Sequence, residues 1–369
     1  MKLDSKEQAF FTLVRAGLWE KDVRLSSFKE VDFQEINRLA EEQTVVGLVA
    51  AGLEHVTDVK VPQQWALQFA GQTIQLEQRN KAMNVFIASL IEKLRNEDIY
   101  TLLVKGQGIA QCYERPLWRA CGDVDFYLSE SNYQTAKDFL KPLASHVEDE
   151  DCKRLHLGMT IEPWTVELHG TLHSDFSNRM NKGLDDVHRA LFYGGDVRSW
   201  NNDGVSVFMP SADNDVIIVF THFLQHFYVG GIGLRQICDW CRLLWTYREQ
   251  IDSKLLKKRL RKMRLISEWK AFSYFAIEYL DMPREAMPLY DDSKKWQKKA
   301  SILKDLILEA GNLGFNNENY RFRQSEKISK MTVFRHRLKE FSRLFLLFPG
   351  NAPIFFSTYL LNRIMNPRG

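Results

Sequence analysis

The sequence contains few cysteines, and those it has show no regular spacing. Five cysteines among 369 residues form an odd set, which argues against a disulfide scaffold and is typical of reduced thiols in a cytosolic protein. The first residues, MKLDSKEQAFFTLVRAGLWEKD, include acidic side chains and no cleavable small-residue site, so we predict no signal peptide. We therefore expect a cytoplasmic protein.

The sequence also lacks an excess of either charge. Its 50 basic and 47 acidic residues leave a net charge of +3, whereas nucleic-acid-binding proteins usually concentrate basic residues in a stripe. The sequence therefore gives no strong nucleic-acid signal, and any basic patch must be local. Fixed-period repeats and low-complexity linkers are absent as well.

The periodicity of apolar residues divides the chain into three segments. It is helical in residues 1–97 and again in 211–369, while residues 98–210 contain strand-like stretches such as GDVDFYL, LHLGMTI and WTVELH, with EP as a turn. With 45% apolar residues, the chain is able to bury a large core. We predict an α+β fold in which a small mixed β-sheet core lies between N-terminal and C-terminal helical segments.

The pattern Asp-x-Asp occurs three times. The pair at 149 and 151 lies in a charged stretch that resembles a solvated turn, and the pair at 213 and 215 precedes an apolar helix that it would cap. Asp123 and Asp125 have no such explanation, because they lie on one face of an apolar strand. Two anions this close on one face repel each other, and a bound cation would offset that repulsion.

Magnesium prefers oxygen ligands and often retains substrate phosphates in its coordination shell. WTVELHGTL supplies a third carboxylate, Glu167, which we prefer over Glu162 because Glu162 adjoins Pro163 in the predicted turn. The sequence thus predicts a metal site formed by Asp123, Asp125 and Glu167. The alternative is that these carboxylates only solubilise an edge strand.

A glycine turn precedes this strand. LLVKGQG ends a predicted strand and begins a short helix, a setting in which backbone amides hold phosphate. The order of strand, glycine turn, short helix and carboxylate-bearing strand resembles the nucleotidyltransferase fold of the polymerase-beta type. Within that superfamily the stretch is similar to a bacterial group of largely uncharacterised nucleotidyltransferase-like proteins. The residues that match the pattern of this group are Lys105, Gly106, Arg119, Asp123, Asp125, Glu167 and His169.

The resemblance implies transfer of a nucleotidyl group from a nucleoside triphosphate to an acceptor, with release of pyrophosphate. Two Mg²⁺ ions, or Mn²⁺ in their place, would be held by the three carboxylates. Many active relatives have Gly-Gly or Gly-Ser in the turn, whereas this chain has Gly-Gln-Gly. The nucleotide-binding residues implied are Lys105, Gly106, Gln107, Gly108 and Arg119.

Both basic residues of this set, Lys105 and Arg119, also have simpler structural interpretations. Lys105 is equally consistent with a solvated strand end, and Arg119 with a salt bridge to Asp123. Further candidates for the cleft wall are His169, His222, His226, Arg235 and Asp239.

Two close pairs of metal-binding residue types occur on predicted helices. His222 and His226 have the four-residue spacing of many zinc sites but no evident third ligand. Cys238 and Cys241 have no second thiol pair and fit buried thiols better than a metal or redox site.

The C-terminal residues 327–369 combine apolar and basic residues, with eight Lys or Arg against one acidic residue. Pro349, Gly350 and Pro353 interrupt the apolar stretches, which are too short to cross a bilayer. Three interpretations stay open: a helix hairpin packed on the core, a dimer contact, and an anchor on the membrane surface.

The sequence favours a magnesium-dependent nucleotidyltransferase whose acceptor is unknown, and the resemblance points to a small molecule or a saccharide-related compound. One rival is a catalytically silent module that binds nucleotide or regulates another protein. A second rival is an enzyme that nucleotidylates a protein partner.

Overall fold

A computed structural model describes residues 5–174, 176–312 and 341–365. The strands are β1 Leu102–Val104, β2 Asp123–Tyr127, β3 His146–Val147, β4 His156–Ile161, β5 Trp164–His169, β6 Val197–Asn202 and β7 Val205–Pro210. The helices are α1 Ser5–Trp19, α2 Phe33–Glu42, α3 Val46–Glu54, α4 Gln63–Asn96, α5 Gly106–Ala110, α6 Glu130–Leu140, α7 Asn178–Phe192, α8 Ala212–Val229, α9 Leu234–Thr246, α10 Ser253–Met263, α11 Ile266–Leu280, α12 Lys294–Ala310 and α13 Ala352–Met365.

The central sheet has the strand order β1-β2-β5-β4-β3. Strand β2 is antiparallel to β1 and parallel to β5, while β4 and β5 form a hairpin around Glu162 and Pro163. The sheet is therefore mixed and small, and helices lie before and after it along the chain. This confirms the predicted α+β class.

One face of the sheet is apolar and the other is polar. Val124, Phe126, Val166 and Leu168 are buried in a cluster that includes residues of α4 and α6. Because side chains alternate along a strand, the intervening residues of β2 and β5 point to the opposite face. That opposite face carries the carboxylates.

The N-terminal and C-terminal helices share a second hydrophobic core. The ring centroids of Phe11 in α1 and Tyr279 in α11 are 5.7 Å apart, and those of Trp19 and Trp245 are 6.0 Å apart. Helices far apart in sequence thus pack together around the sheet. The division at residues 97 and 210 stays a prediction from the sequence pattern.

Part of the basic and apolar tail packs against this core. Residues 341–347 are helical, and Leu347, Phe348, Ala352 and Phe355 are buried in the same cluster as α8 and α11. Residues 327–340 and 366–369 of the tail lie outside the described residues. None of the described helices has both the length and the apolar content that a bilayer-spanning segment requires.

The other two Asp-x-Asp pairs lie in a turn and at the start of a helix, as the sequence predicts, but the N-cap residue of α8 is Ser211 rather than an aspartate. Asp213 and Asp215 lie in the first turn of α8, where Asp215 also forms an ion pair of 2.6 Å with Arg198. Asp151 accepts hydrogen bonds from the backbone amides of Lys153 and Arg154 in a turn.

Candidate functional site

The pairing of β2 with β5 brings the predicted carboxylates together. Asp125 lies directly opposite Glu167 and Asp123 lies opposite Thr165, so that all three carboxylates lie on the polar face of the sheet. Asp125 is only 2% exposed. The arrangement concentrates negative charge in a region from which most water is excluded, where a cation is strongly favoured.

Lys105 supplies one such cation. Its Nζ donates to Asp125 Oδ1 at 2.5 Å, from a turn in which Lys105 and Gly106 have φ of 58° and 42°. Burial by itself would raise the pKa of Asp125, but Lys105 and His169 outweigh burial and hold the pKa below its usual value. Lys105 is therefore part of the site rather than a solvated strand end.

Asp123 has no comparable partner. Among the described residues, no side chain forms a hydrogen bond or an ion pair with its carboxylate. The negative charge of Asp125, together with burial, raises the pKa of Asp123. A carboxylate that is repelled by its neighbour and lacks a partner is a suitable ligand for a divalent ion.

Two histidines surround Glu167. His169 Nε2 lies 2.9 Å from Asp125 Oδ1 and 3.5 Å from Glu167 Oε2, and His156 Nε2 lies 3.3 Å from Glu167 Oε2. Burial would raise the pKa of Glu167, but its contacts with the two histidines lower it. Glu167 is thus ionised and held in place.

His156 is a site residue that the sequence prediction missed, although a signal for it exists. A hairpin with the two-residue turn Glu162-Pro163 pairs Ile161 with Trp164, and counting back along both strands places His156 opposite His169. The predicted turn therefore already fixed the register.

His222 and His226 extend from α8 over the same site. Their ring centroids are 4.5 Å apart. Burial and the nearby Lys105 lower the pKa of His226 to about 4, and burial lowers that of His222 well below its ordinary value. Both rings are therefore neutral at pH 7 and line the cleft, as one of the sequence interpretations predicts.

Arg119 pairs with Asp239 rather than with Asp123. It donates through Nε at 3.0 Å and through Nη2 at 2.6 Å to the Asp239 carboxylate, which also accepts from Tyr113 Oη at 2.8 Å. Arg119 Nη1 is buried and has no hydrogen-bond partner among the described residues. This leaves the two N–H groups of Nη1 without an acceptor among those residues.

Arg235 and Asp239 do not pair directly, although they are four residues apart on α9. Arg235 donates to Ala120 O at 3.1 Å and to Thr44 Oγ1 at 3.2 Å.

Cys238 and Cys241, on the same helix, are buried and form no disulfide. The buried thiols that the sequence favoured are confirmed.

Two adjoining cavities open at the site. The first, which we name the carboxylate cavity, has a volume of about 200 Å³ and is lined by Lys105, Gly106, Ile109, Arg119, Asp123, Asp125, Glu167, Val219, His222, Phe223, His226, Arg235, Gln236 and Asp239. The second, the histidine cavity, has a volume of about 320 Å³, and its polar lining includes His156, His169, His173, Arg154 and Gln225. Lys105, Glu167, His222 and His226 line both.

The side chain of Gln107 points away from both cavities. Its Nε2 donates to Asn80 Oδ1 at 2.8 Å. Gly108 packs on the same side, where an added Cβ would lie 3.0 Å from Met209 Sδ. Of the predicted nucleotide-binding residues, Lys105, Gly106 and Arg119 line the carboxylate cavity, and the nucleotide-binding role of all five stays a prediction.

Residues 29–280 match the sequence model of a family described as uncharacterised nucleotidyltransferase. The chain belongs to this family. The matched residues include every strand of the sheet as well as α8 and α9. Membership therefore identifies the chain as nucleotidyltransferase-like, and the cavities described above lie within the part that defines the family.

Comparison with other proteins adds little to this assignment. No curated protein sequence matches the chain. A crystal structure of an antigenic nucleotidyltransferase-like protein from Paracoccidioides brasiliensis is similar over 54% of this chain and 92% of that one, with 14% identity and a TM-score of 0.32. A TM-score this low supports no inference about the fold or function of this chain.

Proposed function

We propose that the chain transfers a nucleotidyl group from a nucleoside triphosphate to an acceptor hydroxyl, with Mg²⁺ as cofactor, in a site of the polymerase-beta type. One observation carries the proposal. Asp123 lacks a partner beside the opposed pair Asp125 and Glu167, in a cavity that also contains the turn at Lys105 and Gly106. Membership in a nucleotidyltransferase family supports it.

The donor set fits magnesium. Carboxylate oxygens are the ligands that this ion prefers, and it commonly retains substrate phosphates as further ligands. Asp123 and Asp125 face the carboxylate cavity together with Glu167. Magnesium bound there would supply positive charge that orients the triphosphate and offsets the negative charge developing during transfer.

Other parts of the site would bind either the nucleoside triphosphate or the acceptor molecule. Lys105 and the unpaired Nη1 of Arg119 contribute positive charge where phosphates would bind. The acceptor oxygen forms a bond to the α-phosphorus while the bond from that phosphorus to the bridging oxygen breaks, pyrophosphate leaves, and the hydroxyl proton passes to a carboxylate of the site. The histidine cavity, at about 320 Å³, has the size of a small-molecule site, which favours a small or saccharide-related acceptor.

Calorimetric titration with ATP, GTP, CTP and UTP in the presence of Mg²⁺ tests the proposal without requiring the acceptor. We expect at least one nucleotide to bind, and Asp123→Asn to weaken its binding at least about tenfold, because even the loss of an outer-shell partner of a metal ligand typically costs that much. Asp149→Asn is the matched control, because Asp149 is exposed and outside the site. Failure of all four nucleotides to bind at millimolar concentration, or unchanged binding by Asp123→Asn, would contradict the proposal.

A further inference from the structure

Two histidines and a carboxylate meet on the polar face of the β4–β5 hairpin. His156, Glu167 and His169 each offer one ligand atom, and these atoms all lie within 4.8 Å of one another. The backbone dictates this meeting, because His156 lies opposite His169 and Glu167 lies two residues earlier on the same face of β5. The cluster is thus set by the hairpin register.

The chemistry of this cluster differs from that of the carboxylate site. Magnesium takes oxygen ligands, whereas imidazole nitrogen suits first-row transition metals such as Mn²⁺, Co²⁺ and Zn²⁺. Two imidazoles beside one carboxylate therefore select a different class of ion from the one that Asp123 and Asp125 favour.

The geometry leaves room for an ion and for a substrate. Metal–ligand bonds of about 2.1 Å place two ligands of one ion no more than about 4.2 Å apart, so small rotations of the three side chains suffice. All three residues line the histidine cavity. An ion bound to them would therefore keep coordination positions open toward that cavity.

We propose that His156, Glu167 and His169 bind one divalent transition-metal ion, of the Mn²⁺ or Zn²⁺ class, beside the magnesium site. The proposal deepens the proposed function and rests on it in part, because Glu167 belongs to both sites. It assigns the ion to the histidine cavity, where the acceptor would bind, and it gives His156 a direct role as a ligand.

Electron paramagnetic resonance of the full-length chain with Mn²⁺ tests the proposal. In excess Mg²⁺ we expect one tightly held Mn²⁺ per chain, with ¹⁴N coupling from imidazole in the spectrum of the wild-type protein. His156→Gln should weaken Mn²⁺ binding at least about tenfold, while His146→Gln, an exposed change on β3, should leave binding as it was. The ¹⁴N coupling is measured on the wild-type chain and does not depend on how a variant folds.

Complete displacement of Mn²⁺ by Mg²⁺, or bound Mn²⁺ without ¹⁴N coupling, would overturn the proposal. Asp123→Asn separates it from the proposed function, since that variant should lose magnesium-dependent nucleotide binding but keep the nitrogen-coupled Mn²⁺. If the wild type binds nucleotide with Mg²⁺ and shows no nitrogen-coupled ion, the inference fails alone. If nitrogen-coupled Mn²⁺ is present and no nucleotide binds, the proposed function fails and the metal site stands.

Discussion

At the scale of single residues, Asp125 and Lys105 determine the electrostatics of the site. Their side chains are 3% and 16% exposed, and they form the shortest ion pair that the site contains among the described residues. A carboxylate this deeply buried is stable as an anion only while cations remain close to it. The pair therefore supports the fold, and in the proposed function Lys105 also contributes positive charge where phosphates would bind.

Lys105→Met should destabilise the protein markedly, because it leaves a buried carboxylate without its ammonium partner. We expect a loss of about 3 kcal/mol in the free energy of unfolding, measured by urea denaturation. The double variant Lys105→Met/Asp125→Asn should recover part of that loss, since it removes the uncompensated charge. Equal stability of the single and double variants would show that an uncompensated charge on Asp125 is not the cause of the loss.

Glu268 provides a pH-dependent prediction away from the site. It is 1% exposed, its Oε1 accepts from Asn351 at 2.7 Å and from Tyr228 at 3.2 Å, and burial raises its pKa. The folded protein thus binds this proton more tightly than the unfolded chain does. The stability from this group is fully present below the unfolded pKa and is lost as the pH rises through the folded pKa.

Glu268→Gln should therefore increase the free energy of unfolding at neutral pH and reduce its decline between acidic and neutral pH. Urea denaturation at several pH values measures both effects. Glu285→Gln, an exposed change of the same kind, serves as the control. A variant that is less stable than the wild type at neutral pH would contradict this interpretation of Glu268.

Sequence reasoning identified several residues of the site because strand alternation is readable from one sequence. It placed Asp123, Asp125 and Glu167 on one face, and the register of β2 against β5 agrees. It did not predict the pairing of Arg119 with Asp239, because contacts between residues 120 positions apart depend on how α9 packs, for which no local pattern exists.

At the scale of secondary-structure elements, the turn between β1 and α5 places Lys105 and Gly106 in the wall of the carboxylate cavity. Gly106 has φ of +42°, and a Cβ added there would lie 3.2 Å from Cys121 Sγ and 3.4 Å from Asp123 O. Both the conformation and the close approach of β2 favour glycine. The turn is therefore coupled directly to the strand that carries the carboxylates.

Gly106→Ala should cost roughly 1 to 2 kcal/mol for the left-handed conformation, with a further loss from contact with β2, and it should weaken nucleotide binding. Gly195→Ala is the matched control, since Gly195 has φ of +65° with no atom within 4 Å of an added Cβ. Urea denaturation and nucleotide titration compare the two variants. The same loss of stability in both, with nucleotide binding intact, would show that the turn and β2 are not coupled.

The strands were predictable and some neighbouring elements were not assigned. Alternation and the Glu162-Pro163 turn predicted β2, β4 and β5 close to their observed bounds. Helix α7 and the hairpin of β6 with β7 were not predicted, although Ser177 accepts a hydrogen bond from Met180 N as an N-cap. Strand β6 has only two apolar residues, Val197 and Trp200, and they are three positions apart, which weakens the strand signal in the sequence.

At the scale of the whole molecule, helices from both ends of the chain close around one side of the sheet. This packing places α8 and α9 over the carboxylates, so residues 211–246 supply His222, His226, Arg235 and Asp239 to the carboxylate cavity. Helical periodicity predicts that such helices exist, but it does not determine which helix covers the sheet. The four residues were candidates for the cleft wall from the sequence, and all four line the cavity, but periodicity alone did not establish how their helices pack on the sheet.

The tail contributes to the same core through Phe348, which is 1% exposed and whose ring centroid lies 6.2 Å from that of Tyr228. Phe348→Ala should cost about 3 to 5 kcal/mol in the free energy of unfolding, as for other buried phenylalanines. Leu346→Ala is the control, because Leu346 is 74% exposed and its loss should change stability by less than about 0.5 kcal/mol. Equal changes in the free energy of unfolding for Phe348→Ala and Leu346→Ala would contradict the packing of the tail against the core.

Contact of residues 327–369 with a membrane surface stays a prediction. Phe345 and Leu346 are exposed on the described part of the tail. Flotation with anionic liposomes of the wild type and of Phe345→Ser/Leu346→Ser measures the contact without removing core residues. Identical flotation of both proteins would show that Phe345 and Leu346 do not contact the membrane.

The most direct test of the central claim follows each phosphate of the bound nucleotide. The protein is incubated with Mg²⁺, a small-metabolite extract as the source of acceptor, and nucleotide labelled at either the α- or the γ-phosphate. The account predicts that the α-label enters a new product while the γ-label leaves as pyrophosphate, and that Asp123→Asn produces neither. Transfer of the γ-label to the product, with the α-label retained in nucleoside diphosphate, would contradict it.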